Sequence, residues 1–123
     1  MTLRSFDLVQ RQRRLVGWTK PEGSRSVTRP TRFGNWWRLV PTEDRKAWIV
    51  HDDERPERDT GPMDGAEAVA VAVARYEADL DANTDPRAVW VNEHLEELRG
   101  VVLLCYCDGP PCHAYVLASR ANS

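Results

Sequence analysis

The chain has 123 residues, a length that ordinarily forms one domain and buries roughly two thirds of its unfolded surface. A hydrophobic fraction of 41% with five Trp excludes a mostly disordered chain, and 29% charged residues with no apolar run near about 18 residues exclude a membrane span. The net charge of −2 hides a division: residues 1–46 hold 11 Lys and Arg against 4 Asp and Glu, while residues 47–123 hold 6 against 15. Either the two halves attract each other within one fold, or the first half serves a phosphate-bearing partner. A pI near 5.9 argues against a dedicated duplex-DNA binder.

Met1 to Arg14 mixes Arg, Gln and Asp with single apolar residues, unlike a secretory signal, so the expected location is the cytoplasm. All three Cys fall between positions 105 and 112. An odd number packed so closely points to reduced thiols in a local site rather than a secreted disulfide framework.

In chain order, residues 1–20 read as an edge or less ordered segment, with Leu15, Val16 and Trp18 as a candidate first strand. Ser24 to Thr28 reads as extended and ends at Arg29-Pro30, because a residue before proline is pushed out of the helical region. A turn over Thr31 to Asn35 leads into a strand from Trp36 to Pro41, whose hairpin partner is Ala47 to Val50. His51 to Gly65 is acidic, contains Pro56, Gly61 and Pro62, and reads as an exposed connection.

Ala66 to Leu80 places Val69, Val73, Tyr76 and Leu80 at helical spacing behind an Asp64 cap. A second helix opens with Asp85-Pro86, carries Val91, Leu95 and Leu98 on one face, and stops at Gly100. Val101 to Cys107 is a continuous apolar run, the pattern of a central strand covered on both faces. Asp108-Gly109-Pro110-Pro111 forms a loop, and Cys112 to Arg120 begins a last helix. The expected fold class is therefore α/β: one small domain over residues 1–123, with a mixed sheet, a buried C-terminal strand and about three helices.

Two segments carry chemistry. The first is Cys105-Tyr106-Cys107-Asp108-Gly109-Pro110-Pro111-Cys112-His113. On a strand, Cys105 and Cys107 share a face, so that Cys105, Cys107, Cys112 and His113 can converge as a Cys3His zinc set, although adjacent Cys112 and His113 depart from the usual spacing. Alternatively, Cys112 at a helix N-terminus is a nucleophile assisted by His113, or that helix end holds a phosphate. The plainest alternative leaves Cys105 and Cys107 as small buried core residues, with His113 satisfying a local hydrogen bond.

The second segment is Arg29-Pro30-Thr31-Arg32-Phe33-Gly34-Asn35-Trp36-Trp37. Arg29 and Arg32 suit phosphate, Thr31 and Asn35 can orient a ligand, the aromatics can stack on a base, and Gly34 permits close backbone approach. Trp36 and Trp37 should point to opposite strand faces, one of them into the core, and Arg32 or Arg38 can instead be surface solvation. His51 and His94 read as isolated surface or locally satisfied histidines. Asp52-Asp53-Glu54 reads as a solvated acidic face, or else as a weak attractor of a hard cation.

Together, Arg29-Pro30-Thr31, Gly34-Asn35, Leu98-Arg99-Gly100, Cys105-Tyr106-Cys107 and Pro111-Cys112-His113 resemble the signature of an uncharacterised small-domain family of actinobacteria and their bacteriophages, catalogued as a domain of unknown function. In that family Pro-Phe commonly follows Gly-Asn where this chain has Trp36-Trp37, Trp stands at Tyr106, and an acidic residue often follows the His, near Tyr115. The resemblance implies no established reaction. It implies a phage or actinobacterial setting and that both motifs serve one site.

Physical reasoning supports that pairing, because sites in α/β sheets lie beyond the carboxyl ends of strands. The expected function is binding of a nucleotide or other phosphate-bearing ligand in a crevice between the two loops, with catalysis at Cys112 and His113 as an extension. The rivals are a non-enzymatic zinc-stabilised module that contacts protein or nucleic acid, and a phage effector that binds a host protein. No membrane partner is expected.

Overall fold

The computed structural model describes residues 8–12, 17–107 and 111–123. Five strands, β1 (Val9–Arg11), β2 (Arg25–Ser26), β3 (Trp37–Pro41), β4 (Trp48–Asp52) and β5 (Leu103–Cys105), combine with three helices, α1 (Gly65–Ala82), α2 (Pro86–His94) and α3 (His113–Ala121). The expected α/β class holds, and its parallel and antiparallel strands are divided between two sheets. One is a parallel sheet in the order β1-β5-β2, and the other is the β3-β4 hairpin. Of the strand expected at Leu15, Val16 and Trp18, the first two lie outside the described residues and Trp18 is not in a strand; β1 occupies Val9–Arg11 instead.

The apolar run from Val101 yields the central strand, but only Leu103–Cys105 is paired. Register explains the limit. Leu103 and Leu104 pair with Arg25 and Ser26 on one side, and Leu103 to Cys105 pair with Val9 to Arg11 on the other. Both neighbours are short, so the ladder ends at Cys105, and Tyr106 and Cys107 turn out of the sheet. The loop expected at Asp108-Gly109-Pro110 lies outside the described residues.

The helices follow their caps. The Asp64 side chain accepts from the Glu67 N–H at the start of α1, and Asn83 closes that helix in the left-handed region at φ 53°. Asp85 accepts from the Arg87 N–H at the start of α2, with Pro86 in the first turn. A 3-10 turn over Leu95–Leu98 extends α2, and Gly100 at φ +71° turns the chain into β5. The stretch from His51 to Gly65 is more structured than an open connection: β4 runs to Asp52, a 3-10 turn covers Pro56–Arg58, and Met63 bridges back to Trp48.

A single core joins these layers. Val27, Phe33, Trp37, Val50, Tyr76, Leu80, Val91, Leu98, Leu103, Leu104 and Leu117 are all almost completely removed from solvent. Helix α1 packs on the β3-β4 hairpin and on α2 and α3, while α3 packs on β5. This arrangement places the turn after β2 and the turn after β5 at the same edge of the parallel sheet. No helix among the described residues is long and apolar enough to cross a membrane.

Candidate functional site

Because β2 and β5 are adjacent and parallel, their carboxyl ends point the same way, and Arg29–Asn35 and Tyr106–Cys107 follow from the same end of the sheet. One cavity of about 290 Å3 is lined by Arg29, Asn35, Cys105, Cys107, Cys112 and His113. A second, of about 380 Å3, is lined by Arg29, Thr31, Arg32, Asn35, Trp36 and Trp90, among others. Arg29 and Asn35 therefore form a wall common to both. The two motifs, about seventy residues apart in sequence, meet in space.

The Arg29–Asn35 turn is held by its own groups. Thr31 Oγ1 donates to the Thr28 carbonyl at 2.6 Å, and Arg29 Nη1 donates to the Asn35 carbonyl at 3.2 Å. Gly34 fits because a Cβ there would lie 2.8 Å from the Arg29 nitrogen, closer than side chains approach. Asn35, expected to orient a ligand, spends its amide on the fold: Nδ2 donates to the Ala72 carbonyl at 3.2 Å, and Oδ1 accepts from the Trp37 N–H at 2.9 Å.

Arg29 and Arg32 have no carboxylate ion-pair partner among the described residues, whereas Arg38 pairs with Asp53 and Arg87 with Asp52 and Asp85. Burial, with Arg38 nearby, pulls the Arg29 pKa down from its ordinary value, an effect that the Asp53 charge offsets only in part. Arg32 is not simple surface solvation: its guanidinium lies over Trp90 at 4.2 Å. Trp90 also stacks on His94, with 4.1 Å between ring centroids.

Trp36 and Trp37 depart from the alternation expected of them. Trp36 precedes β3, and both indoles donate through Nε1 to the same Asp79 Oδ2, at 2.9 and 3.0 Å. Trp37 is the core residue of the pair. Asp79 also accepts from Arg58 at 2.7 Å.

The acidic run needs a larger correction. Asp52 is 0% exposed and takes a bidentate contact from Arg87, with both distances 2.8 Å. Burial alone would raise its pKa, but the Arg87 hydrogen bonds and the Glu54 N–H bring it below the usual carboxylate range. Asp53 and Glu54 are the exposed members. His51 is not isolated, since its ring lies 2.6 Å from Asp59 and 3.0 Å from Asp53, whereas His94 is locally satisfied at the Trp90 carbonyl. Sequence reasoning missed the Asp52–Arg87–Asp85 and Asp79 clusters because their hydrogen-bonded partners lie 21 or more residues apart except at Asp85-Pro86-Arg87. The Asp85-x-Arg87 spacing was the only local sign.

At the thiol end, the Cys105, Cys107 and Cys112 sulfurs all lie within 4.8 Å of one another. Cys105 and Cys112 are buried and Cys107 is exposed. This group of three does not extend to His113. His113 Nε2 lies 2.6 Å from the Val27 carbonyl, which can only accept, so Nε2 carries the proton and Nδ1 presents a lone pair 3.9 Å from Cys112 Sγ. Burial lowers the His113 pKa and keeps the ring neutral. Its edge meets the Tyr76 ring at 5.5 Å.

The three thiols compete for one negative charge. Hydrogen bonds from Cys105 and Cys112 push Cys107 down to about 3, and the same contacts hold Cys105 and Cys112 up. The thiolate character expected at Cys112 thus falls on Cys107, the thiol nearest solvent.

Comparison with curated proteins and with solved structures gives no match to either. The family of domains described as a domain of unknown function, DUF4326, matches residues 9–123, nearly the whole chain including both loops, and the chain belongs to that family.

Proposed function

We propose that this domain binds a nucleotide, or another phosphate-bearing ligand, in the crevice where the Arg29–Asn35 turn meets the thiol loop. The observation that carries this reading is the shared wall: Arg29 lines both cavities and, like Arg32, has no carboxylate partner among the described residues. Unpaired guanidiniums in a concave site favour a phosphate through charge-assisted, bidentate hydrogen bonds. A planar base has a platform as well. Trp90 already stacks on His94 and carries the Arg32 guanidinium over its ring, and a base laid on that guanidinium would extend the platform.

The test is thermal denaturation with adenosine monophosphate and inorganic phosphate as probes. The nucleotide should raise Tm in the wild type. Arg29→Ala and Arg32→Ala should abolish the rise while the far-UV circular dichroism stays native. An equal rise in both variants would end this reading.

A second reading takes support from the convergence of the three sulfurs: zinc on the thiol cluster in a non-enzymatic module. Thiolates at this separation suit a borderline-soft ion. Enzymatic use of Cys112 with His113 is a further extension, resting on the 3.9 Å approach of Sγ to Nδ1. In an actinobacterial or phage setting, either use would serve an intracellular partner.

A further inference from the structure

We propose that Cys105, Cys107 and Cys112 hold one zinc ion by three sulfurs, that His113 stays outside its coordination shell, and that the fourth position opens into the Arg29 cavity. The site would then be a centre that takes a donor atom from a bound ligand. It would not be a closed structural staple.

Three observations carry this. First, the sulfurs come from three positions of the fold, namely the last residue of β5, the exposed turn after it and the cap of α3, yet they lie within 4.8 Å of one another. Soft thiolates so close together match the ligand chemistry of zinc. Second, His113 is committed elsewhere. Its Nε2–H is held by the Val27 carbonyl and its ring packs on Tyr76, and this fixed position leaves Nδ1 beside Cys112 but outside the set of ligand atoms that all lie within 4.8 Å of one another. Third, all three cysteines line a cavity of about 290 Å3, and although Cys105 and Cys112 are buried, Cys107 is exposed.

Catalytic or ligand-binding zinc sites differ from structural ones in keeping a position free of protein donors. Three thiolates on a divalent cation leave one net negative charge, and Arg29 stands in the same cavity to offset it. A ligand that brings a neutral nitrogen donor together with a phosphate would satisfy both features. That last step rests on the nucleotide reading, but the metal geometry does not.

Cobalt substitution tests the proposal. Wild-type protein prepared with a phosphine reductant should bind a single equivalent of Co2+, with sulfur-to-metal charge transfer in the near ultraviolet. Imidazole should shift the visible bands saturably, and Zn2+ should displace the cobalt. Cys107→Ser should lose most of the charge-transfer intensity. His113→Gln retains a donor for the Val27 carbonyl while removing the Nδ1 lone pair, and it should bind cobalt with an unchanged spectrum.

Asp108→Asn should do the same, since Asp108 is the one other ligating side chain between Cys107 and Cys112. X-ray absorption of the zinc form gives a readout independent of variants: three sulfurs, one lighter atom, and no outer-shell imidazole signal. No metal uptake, loss of metal in His113→Gln or Asp108→Asn, visible bands indifferent to imidazole, or an imidazole shell in the absorption spectrum would each overturn the proposal. Adenosine monophosphate shifts that vanish in Arg29→Ala bear only on the nucleotide reading, so the two can fail separately.

Discussion

At the residue scale, the side chains that matter most to stability are buried charges whose partners come from distant elements. Arg87 is the clearest. Its side chain holds the fully buried Asp52 through two hydrogen bonds and Asp85 through two more, while its guanidinium lies over the Trp36 ring at 5.2 Å. Arg87→Ala would strand a carboxylate that cannot reach water, a loss of about 3 to 5 kcal/mol for a buried pair broken on one side. Urea unfolding should show this as a lower midpoint with little change in slope. Arg87→Lys should recover only part, because an ammonium cannot bridge both oxygens of Asp52.

Gly34 is a second critical position. Gly34→Ala would press its Cβ against the Arg29 backbone and displace the turn that presents Arg29. Isothermal titration with adenosine monophosphate should lose its signal even where the circular dichroism remains native.

His51 gives a pH dependence. Contact with Asp59, aided by Asp53, raises its pKa above the ordinary value of 6.5. A histidine with a higher pKa folded than unfolded stabilises the fold fully below the unfolded value and loses that contribution as pH rises through the folded one. Chemical denaturation from pH 6 upward should therefore show a decline in stability that His51→Gln removes. A wild type and variant with parallel profiles would exclude His51 as the source.

At the element scale, the fold depends on a central strand only three residues long. Strand β5 carries both of its neighbours, and Leu103 and Leu104 project into buried surroundings on its two sides. Leu104→Ala should destabilise by about 2 to 5 kcal/mol, the usual cost of truncating a packed leucine. By contrast, Asp64→Ala removes a cap from the exposed start of α1 and should cost about 1 kcal/mol. Measured by the same unfolding curves, the two should rank in that order. The reverse order would mean that α1, and not the parallel sheet, limits stability.

The period of the apolar residues made the helices legible, and both α1 and α2 begin at the caps their sequences announce. Strand β5 was legible as buried but not in length, because a strand's extent depends on how far its neighbours run, and β2 has only two residues. The turn after β5 carried a misleading sign. Alternation places Cys105 and Cys107 on one strand face, yet the strand has ended before Cys107, and the sulfurs lie together without it.

At the scale of the whole molecule, the polarised charge is only partly resolved within the chain. Arg25 pairs with Glu97 and Arg38 with Asp53, across the two halves, but Arg29 and Arg32 remain without carboxylates among the described residues. Nucleotide affinity should therefore fall as salt rises, and Arg29→Ala should flatten that dependence.

The core runs through all layers, and Cys105 and Cys112 are only two of its many buried members. Removal of metal by a chelator should lower Tm through the loss of a ligand of the native state, while leaving the far-UV spectrum and tryptophan emission native at 25 °C. Complete unfolding in chelator would assign the cysteines a structural role.

The sequence by itself determined the α/β class, the helices and their caps, the hairpin, the burial of the last strand and the residue types of the two loops. These properties are written in local periodicity and in turn chemistry, which act over a few residues. Only the tertiary structure decided that β2 lies beside β5 in parallel, which sets Arg29 next to the thiols. It also decided that Asp52 is buried on Arg87, that Asn35 holds the turn, and that His113 faces Val27 and lies outside the sulfur cluster. Each of these depends on which distant segment supplies a partner, and local spacing carries no information about that choice.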